Sequence, residues 1–346
     1  MNSIDLSVII PVFNAENDLM ELFESLKNQK NLFYEVIAIN DGSTDQSQII
    51  LEKIAQIDKR WVLISQPHRG VSVARNQGIA RARGRWIAFT DSDDWLAPQA
   101  FETWVQQAEK GDLDCLVGNG FRFKLNPQKP TETLLYRQPW GKILTGREWI
   151  IQSVHKNEWP HYVFLQLVKR AFLIKNQLRF IPNMLHEDIL WTTELAEVAQ
   201  RMGFCAEPLY GYRINPESIT QSTSIERLAH RAISYLNIIE KLLNKAEAVK
   251  QDKAFHQALL KQAHRETRHF LGLMRKKLPP SQLRTQLAKK FTSLGLRTAV
   301  FKGICHPDEF WHALRINFLW HIMRSGIAAF LDKHQANSVL FTRPDA

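Results

Sequence analysis

The sequence predicts an α/β protein in which a doubly wound sheet is followed by a helical C-terminal region. Apolar runs alternate with helix-spaced segments four times within about the first 95 residues, a pattern typical of parallel strands connected by helices. From residue 225 onward the apolar residues recur at helical spacing throughout. A chain of 346 residues with 45% hydrophobic content is long enough for one large α/β domain and a helical appendage.

The first four strands are predicted from apolar runs that end in polar turns. These runs cover residues 6–12, 34–39, 61–65 and 87–90. Because Pro11 has no N–H to donate to a neighbouring strand, we expect the first strand to end there. The helices between them are predicted over 18–30, from about 46, and over 70–82.

The rest of the chain is predicted as a second set of α/β elements and then helices. The predicted elements are a helix at 98–110, a strand at 114–121, a loop at 124–146, a helix at 147–154 capped by Thr145, a helix opened by the acids at 187–188, a closing strand near 209–214, and helices at 229–243, 254–277 and 282–294. An amphipathic helix is also predicted at 309–331.

The net charge of +10 is concentrated at the C-terminal end of the chain. Residues 224–346 hold 21 Lys and Arg against 9 Asp and Glu, a balance of +12, whereas residues 1–223 carry −2. A basic appendage indicates an anionic partner. No signal peptide or membrane span is expected, and the three separate cysteines predict reduced core thiols in a cytoplasmic protein.

Three carboxylates follow the fourth strand directly, at Asp91, Asp93 and Asp94. In an extended chain Asp91 and Asp93 point the same way, and two like charges held together favour a cation between them. A solvated acidic turn that caps the next helix is the simpler alternative. The carboxyl ends of parallel strands are where open α/β sheets bind ligands. The chain has neither a Gly-rich dinucleotide fingerprint nor a P-loop lysine motif.

Four segments in this region together resemble family 2 glycosyltransferases. They are 8–14, 40–45, 74–78 and 90–95. Their order and spacing match the nucleotide-sugar half of that family. The resemblance implies a GT-A fold with a mixed sheet, and an inverting, metal-dependent transfer of a sugar.

The resemblance also implies which residues bind the nucleotide. Asp41 would accept from the uracil imide, with Pro11 and Asn14 lining the base pocket. Arg75 would contact the nucleotide, since a guanidinium pairs with phosphate in a fork; a structural ion pair with Asp41 or Asp91 is the alternative.

The same resemblance places a metal at the acidic turn. Asp93 would be the main ligand of Mn²⁺ or Mg²⁺, which prefer oxygen donors, and Asp91 would contact the ribose or the metal. His161 is a candidate third ligand, with a structural histidine as the alternative. Asp94 is predicted to cap the helix that follows Pro98.

A second acidic stretch, Glu187 and Asp188, opens a predicted helix. Acids in a first turn often only complement the helix dipole. By the resemblance Asp188 would be the general base and Glu187 would hold the acceptor or a loop, although the sequence does not decide between the two. Arg213 and Ser218, in the closing segment, are further candidates for donor binding.

A looser likeness to bacterial lipopolysaccharide-core transferases, including glucuronosyltransferases, rests on residues 144–146, 159–173 and 186–194. It makes lipopolysaccharide core or another lipid-linked or capsular saccharide the expected acceptor, with a glucuronosyl donor as one alternative. The family resemblance itself makes a UDP-sugar the expected donor. The alternatives are a nucleotidyltransferase, which would normally show a basic Gly-rich loop, and a non-catalytic nucleotide-sugar-binding scaffold.

These observations divide the chain into a catalytic domain at 1–223 and a basic helical region at 224–346. The catalytic domain comprises a nucleotide-sugar half at 1–97 and an acceptor half at 98–223. Residues 305–335 are a candidate for contact with an anionic inner-membrane surface from the cytoplasmic side. The alternative is a helix that packs on the catalytic domain. Nucleic acid is not an expected partner, because the sequence contains no recognised binding module.

Overall fold

The computed structural model describes residues 4–215, 224–278 and 282–296, together with six single positions between 301 and 314. The chain forms two compact units, Met1–Ser218 and Ile219–Ala346.

In the described part of the first unit, ten strands form one mixed sheet. They are β1 Leu6–Val12, β2 Tyr34–Asp41, β3 Trp61–Gln66, β4 Trp86–Phe89, β5 Trp95–Leu96, β6 Cys115–Phe123, β7 Glu132–Thr133, β8 Ile143–Leu144, β9 Gln166–Lys169 and β10 Met202–Arg213. The strand order is β3-β2-β1-β4-β9-β6-β10-β5, with β7 on β6 and β8 on β10. The predicted mixed α/β sheet is confirmed.

A single antiparallel strand joins the two parallel parts of this sheet. Strands β1 to β4 pair in parallel, as do β6 and β10, whereas β9 runs antiparallel to both β4 and β6. Because β1, β2 and β4 are parallel, their carboxyl ends lie together at one edge of the sheet, where ligands of such folds bind.

Helices of the first unit connect these strands. They are α1 Leu19–Lys27, α2 Ser47–Ile57, α3 Val71–Arg81, α4 Ala100–Lys110, α5 Gly146–His155, α6 Arg170–Lys175 and α7 Glu187–Val198. The predicted cap of α5 is present as a capping box, in which Thr145 and Glu148 satisfy each other's backbone N–H groups.

Close packing of α3 on β1 fixes the position of that helix. A Cβ at Gly78 would lie 2.3 Å from Cγ2 of Ile9, so only glycine permits this contact. The side chains of Ile9 and of its neighbour on β2, Ile37, are completely buried. Burial of such a side chain contributes about 1.5–3 kcal/mol.

The first strand continues past Pro11, contrary to the expectation. Val12 still pairs with Asn40 of β2, whereas β4 pairs with β1 only as far as Ile9. Successive residues of a strand direct their backbone groups to alternate neighbours, so Pro11 faces the β4 side, as Ile9 does. The missing N–H therefore lies where no strand partner remains.

The second unit is helical in its described part. It contains α8 Ile225–Ala248, α9 Lys253–Lys276 and α10 Gln282–Ser293, all near the predicted positions. Leu236, Ile239, Phe270 and Phe291 lie in one hydrophobic core cluster. No described helix has the length and apolarity needed to cross a membrane. Most of the segment 305–335 lies outside the described residues.

The described cysteines, Cys115 and Cys205, are buried free thiols, as predicted for core residues. Burial raises the pKa of the Cys205 thiol, which keeps it protonated and unreactive near neutral pH. Cys305 lies outside the described residues.

Candidate active site

The turn after β1 is tied to the turn after β2 by Asn14. This residue has a positive φ of 51°, and its Oδ1 accepts from the Thr44 backbone N–H at 2.8 Å. Its own N–H donates to Ser43 Oγ at 3.1 Å. Pro11 is partly exposed three residues earlier. Asn14 thus holds two turns of the sheet edge together, and its predicted contact with a nucleobase stays a prediction.

Asp41, the last residue of β2, organises the chain that leads into α3. Its carboxylate accepts from the backbone N–H groups of Arg69 and Gly70, both at 2.8 Å, and from Nε2 of Gln66. His68 Nδ1 lies 2.9 Å from the same carboxylate. The acid predicted to bind uracil is therefore 97% buried and shapes the 66–70 turn.

Several buried polar atoms at this end of the sheet lack a hydrogen-bond partner among the described residues. They are Gln66 Oε1, Ser72 Oγ, Arg75 Nε and Thr90 Oγ1. Buried polar groups are normally satisfied, and an unsatisfied one requires an explanation. A polar ligand at the carboxyl ends of β3 and β4 would provide one for Gln66 Oε1 and Thr90 Oγ1.

The acidic turn after β4 holds a carboxylate whose ionisation is unfavourable. Burial and the negative charge of Asp91 raise the pKa of Asp93 to about 6. Asp91 is one-third exposed and pairs with Arg75 at 3.0 Å. Like charges held together raise a carboxylate pKa in this way, and a bound cation relieves the repulsion.

The sequence suggested that Asp94 caps the next helix, but in the structure it does not. It is 1% exposed; its Oδ2 accepts from the Tyr210 hydroxyl at 2.6 Å and its Oδ1 from the Arg213 N–H at 2.9 Å. The Tyr210 hydroxyl also accepts from the Asp91 N–H at 3.2 Å. Helix α4 instead begins after Gln99, which has a positive φ of 66°. Asp94 therefore binds the acidic turn to β10.

Burial controls the ionisation of this acid as well. Together with the charges of Asp93 and Asp91, it raises the pKa of Asp94 well above its usual range.

Arg213 also fastens this turn. Its Nε donates to the Asp93 carbonyl at 2.7 Å and lies 3.3 Å from Asp18 Oδ1, while Nη2 donates to Glu21. The guanidinium lies over the Phe123 ring, 4.6 Å from its centroid. Only 11% of the side chain is exposed. Arg213 thus connects the acidic turn to α1; Ser218 lies outside the described residues.

Arg75 joins the two acidic stretches that the sequence singled out separately. Its Nη1 donates to Glu187 Oε1 at 2.6 Å and its Nη2 to Asp91 Oδ1 at 3.0 Å. Burial lowers the pKa of Arg75, but the charges of Asp91 and Glu187 raise it overall. The sequence left open a structural ion pair of Arg75 with Asp41 or Asp91. The structure contains the pair with Asp91, and the second partner of Arg75 is Glu187 instead of Asp41.

The acid pair lies at the start of α7. His186 precedes it with a positive φ of 58°, which turns the chain into the helix. Glu187 is held by Arg75, whereas Asp188 is partly exposed and accepts from the N–H of Ile189 at 3.1 Å. A partly exposed carboxylate beside a fixed one is placed to accept a proton from a bound hydroxyl.

His161 is not brought together with the acidic turn as a ligand set. Its ring packs edge-on against Trp159, with centroids 5.5 Å apart. Within the described ranges, no three His, Cys, Asp or Glu residues cluster closely enough to hold a metal ion. Two carboxylates, Asp91 and Asp93, remain as oxygen donors. They suit Mn²⁺ or Mg²⁺, which commonly bind one or two carboxylates and complete their coordination with phosphates and water.

Some functional residues could not be found from the sequence. Tyr210 lies in a tyrosine-rich strand, but nothing in that pattern indicates a bond to Asp94. Gln66 and His68 follow an ordinary strand end and contact Asp41 only in the folded chain.

The fold and this edge of paired carboxylates define a glycosyltransferase of the GT-A type. The chain belongs to glycosyltransferase family 2, whose model matches residues 7–164. It is 34% identical over 275 residues to the uncharacterized glycosyltransferase YibD of Escherichia coli K12, covering 77% of this chain and 79% of that protein.

Two solved structures resemble the fold. One is S. aureus TarS 1-349 in complex with UDP-GlcNAc, at 18% identity and a TM-score of 0.66, covering 94% of this chain and 89% of that 1-349 chain. The other is the mannosyltransferase PcManGT from Pyrobaculum calidifontis in complex with GDP-Man and Mn²⁺, at 14% identity and a TM-score of 0.51, covering 96% of this chain and 87% of that one. At these identities the likeness establishes the fold.

Proposed function

We propose that this enzyme transfers a sugar from a UDP-sugar, with inversion, to a hydroxyl of a cell-envelope saccharide in the presence of Mn²⁺ or Mg²⁺. The observation that carries the proposal is the Arg75 guanidinium, which holds Asp91 and Glu187 in one site. A donor site and an acceptor-side base must lie together for direct transfer. The complex of TarS with UDP-GlcNAc supports a uridine donor on this fold.

The donor would bind at the carboxyl ends of β1, β2 and β4. In the proposal Pro11, Asn14 and Asp41 surround the nucleoside, and Asp91 and Asp93 hold the cation. The Mn²⁺ in the PcManGT complex supports a metal on this fold. A bound divalent cation supplies positive charge that stabilises the departing diphosphate. The proposal assigns no metal contact to His161, because no three possible ligands cluster within the described ranges.

Asp188 would act as the general base. Glu187 is the weaker candidate, because its carboxylate is 11% exposed and already accepts a charge-assisted bond from Arg75. The acceptor oxygen attacks the anomeric carbon opposite the diphosphate and gives its proton to Asp188. The bond from the anomeric carbon to the phosphate oxygen breaks, and the diphosphate leaves with the electron pair. Attack from the opposite face inverts the configuration.

The acceptor is proposed to be lipopolysaccharide core or another lipid-linked or capsular saccharide, and a glucuronosyl donor is one option among the uridine sugars. The proposal places the enzyme in the cytoplasm, peripheral to the inner membrane. Residues 224–346, with a charge of +12, and residues 305–335 in particular would contact the anionic lipid surface.

Thermal unfolding with a panel of nucleotide sugars tests the donor class. A ligand that binds only the folded state raises the unfolding temperature. We expect UDP, UDP-glucose, UDP-GlcNAc or UDP-glucuronate to raise it in the presence of MnCl₂, and the effect to weaken in EDTA. Stabilisation by GDP- or dTDP-sugars but by no uridine nucleotide would overturn the assignment.

Liposome flotation tests the membrane contact. Full-length protein should float with vesicles containing anionic lipid, and a variant that lacks residues 305–346 should not. Equal flotation of the two proteins would contradict the role given to this segment.

A further inference from the structure

Arg75 occupies the middle of α3 and reaches two separate parts of the catalytic unit. One terminal nitrogen binds Asp91 in the turn after β4, and the other binds Glu187 at the start of α7. Its side chain is only 7% exposed. The guanidinium therefore links Asp91, which is proposed to hold the metal, to the helix that carries the proposed base.

The next residue of α3, Asn76, also binds the chain that leads into α7, through the backbone of Phe180. Asn76 Oδ1 accepts from the Phe180 N–H at 2.9 Å, and its Nδ2 donates to the Phe180 carbonyl at 2.8 Å. The Phe180 ring lies 5.3 Å from the Arg75 guanidinium carbon and stacks on Trp191 of α7, with centroids 4.0 Å apart. Arg75 thus attaches α7 to α3, and Asn76 attaches the segment before α7 to the same helix.

Helix α3 is itself immobilised, because Gly78 packs directly on Ile9 of β1. The contacts of Arg75 therefore transmit the position of the sheet to α7. Glu187 is the first residue of α7, so holding its carboxylate sets the direction of the first helical turn. Asp188 follows about 100° further around that turn.

These contacts leave little of Arg75 for a nucleotide. Two of the five N–H donors of Arg75 bind carboxylates, and only 7% of the side chain is exposed, so the remaining donors have little access to a ligand. Removal of either carboxylate would leave charge poorly compensated in a buried site, which is strongly unfavourable. The guanidinium therefore belongs with Asp91 and Glu187 rather than with an incoming ligand.

We propose that Arg75 is a positioning residue that fixes α7, and with it the base Asp188, relative to the acidic turn 91–94 without contacting the nucleotide sugar. The inference rests on the proposed function, because it assumes that Asp188 acts on an acceptor bound next to the donor. A misplacement of about 1 Å between reacting groups costs about 10²-fold in rate.

Arg75→Lys keeps the positive charge but cannot hold two carboxylates in a fork. Arg81→Lys is the matched control, because Arg81 lies exposed on the same helix. The readouts are the Kd for UDP with MnCl₂, the kcat for hydrolysis of the UDP-sugar that the wild type turns over, and the number of UDP sites per chain. We expect Arg75→Lys to lower kcat about 10²-fold, with a change in Kd below about threefold.

Three results would overturn the inference. An increase in the Kd for UDP of about tenfold or more, with kcat retained, would show that Arg75 binds the nucleotide. A loss of UDP sites with an unchanged kcat per remaining site would show that Arg75 only maintains the fold. An unchanged kcat and Kd would show that Arg75 positions nothing.

Glu187→Gln alone tests the same link from the other side and does not depend on the folding of Arg75→Lys. It should lower kcat with little change in the Kd for UDP. If Arg75 acts through Glu187, the double variant Arg75→Lys with Glu187→Gln should lose no more kcat than the more damaging single variant. Fully multiplicative losses would contradict the inference. If the wild type neither binds nor hydrolyses any UDP-sugar, the proposed function fails, whereas an active wild type with normal Arg75 variants refutes the positioning role alone.

Discussion

The acidic turn at 91–94 and the acid pair at 187–188 follow a common arrangement. In each, one acid is buried or paired by the protein, and its neighbour is the acid proposed to act in the chemistry. Asp94 is buried and bonded to Tyr210 and the backbone of Arg213, and Asp93 lies beside it. Glu187 is bonded to Arg75, and Asp188 follows it.

The two regions differ in how the held acid is fixed. The turn is fastened by a hydroxyl, a backbone N–H and the Arg213 side chain, all from β10. Glu187 is bonded to one arm of the Arg75 guanidinium, whose other arm binds Asp91. The position of the proposed base thus depends on charge pairing, whereas the turn depends on a continuous strand. We expect substitutions at the acid pair to affect rate, and those around Asp94 to affect stability.

The largest effect should come from Asp188→Asn. An amide cannot accept the acceptor proton, so transfer should slow by about 10²–10⁴-fold, the usual contribution of a positioned base. The Kd for UDP with MnCl₂ should stay unchanged. Asp112→Asn is a suitable control, because this exposed acid pairs only with Lys169 in the described structure. Equal rates for Asp188→Asn and the wild type would remove Asp188 from the chemistry.

Asp93→Asn should follow, with a loss of transfer of about 10²–10³-fold. The substitution removes a charge from the proposed metal site, so Mn²⁺ should bind more weakly when followed by isothermal titration. It should also relieve the unfavourable burial of a charge and the repulsion from Asp91, which together raise the pKa of Asp93 to about 6, so the metal-free protein should not lose stability. Unaltered Mn²⁺ affinity would show that the metal binds elsewhere.

A buried acid in the helical unit shows the cost of burying a carboxylate. Glu266 is 2% exposed, and burial raises its pKa from 4.5 to about 7, with Arg265 opposing the shift. Because the folded state binds the proton more tightly, stability should fall as pH rises from 4.5 through 7. Glu266→Gln should therefore stabilise the protein at pH 8 by up to about 3 kcal/mol, and little at pH 4.5.

Thermal unfolding of the full chain at both pH values measures this effect. The exposed Glu247, which pairs with Lys250, provides the control substitution Glu247→Gln. A stabilisation of Glu266→Gln that is equal at pH 4.5 and pH 8 would contradict the assignment to ionisation.

Tyr210→Phe should have the smallest of these effects, which we expect on the free energy of unfolding. It removes the hydroxyl that joins Asp94 to the Asp91 N–H, at a cost of about 1–2 kcal/mol. Tyr212→Phe, on the same strand but partly exposed, should cost less. Urea unfolding compares the two. A larger loss for Tyr212→Phe would show that the hydroxyl of Tyr210 does not hold the turn.

The elements that sequence could predict are those set by local patterns. Apolar runs located β1 to β4, and the acids after β4 and at the start of α7 were recognised because each stands at an element boundary. The partners of those acids could not be predicted, because they come from distant parts of the chain. Asp94 looked like a helix cap because its partner Tyr210 lies on β10, more than 100 residues later.

Arg75 shows the same limit from the other side. Its segment indicated a functional arginine, but its direction depends on α3 packing on β1 and on α7 folding against α3. Glu187 lies 112 residues away along the chain, and local spacing carries no information about such a pair.

The central claim is that the two acidic regions form one site for inverting transfer. Proton NMR of UDP-sugar hydrolysis with MnCl₂ tests it most directly, because it records the anomer released first. An α-linked donor such as UDP-glucose or UDP-GlcNAc should give the β-sugar first, and Asp93→Asn and Asp188→Asn should each suppress the signal. Release of the α-sugar, or wild-type rates in both variants, would contradict the account.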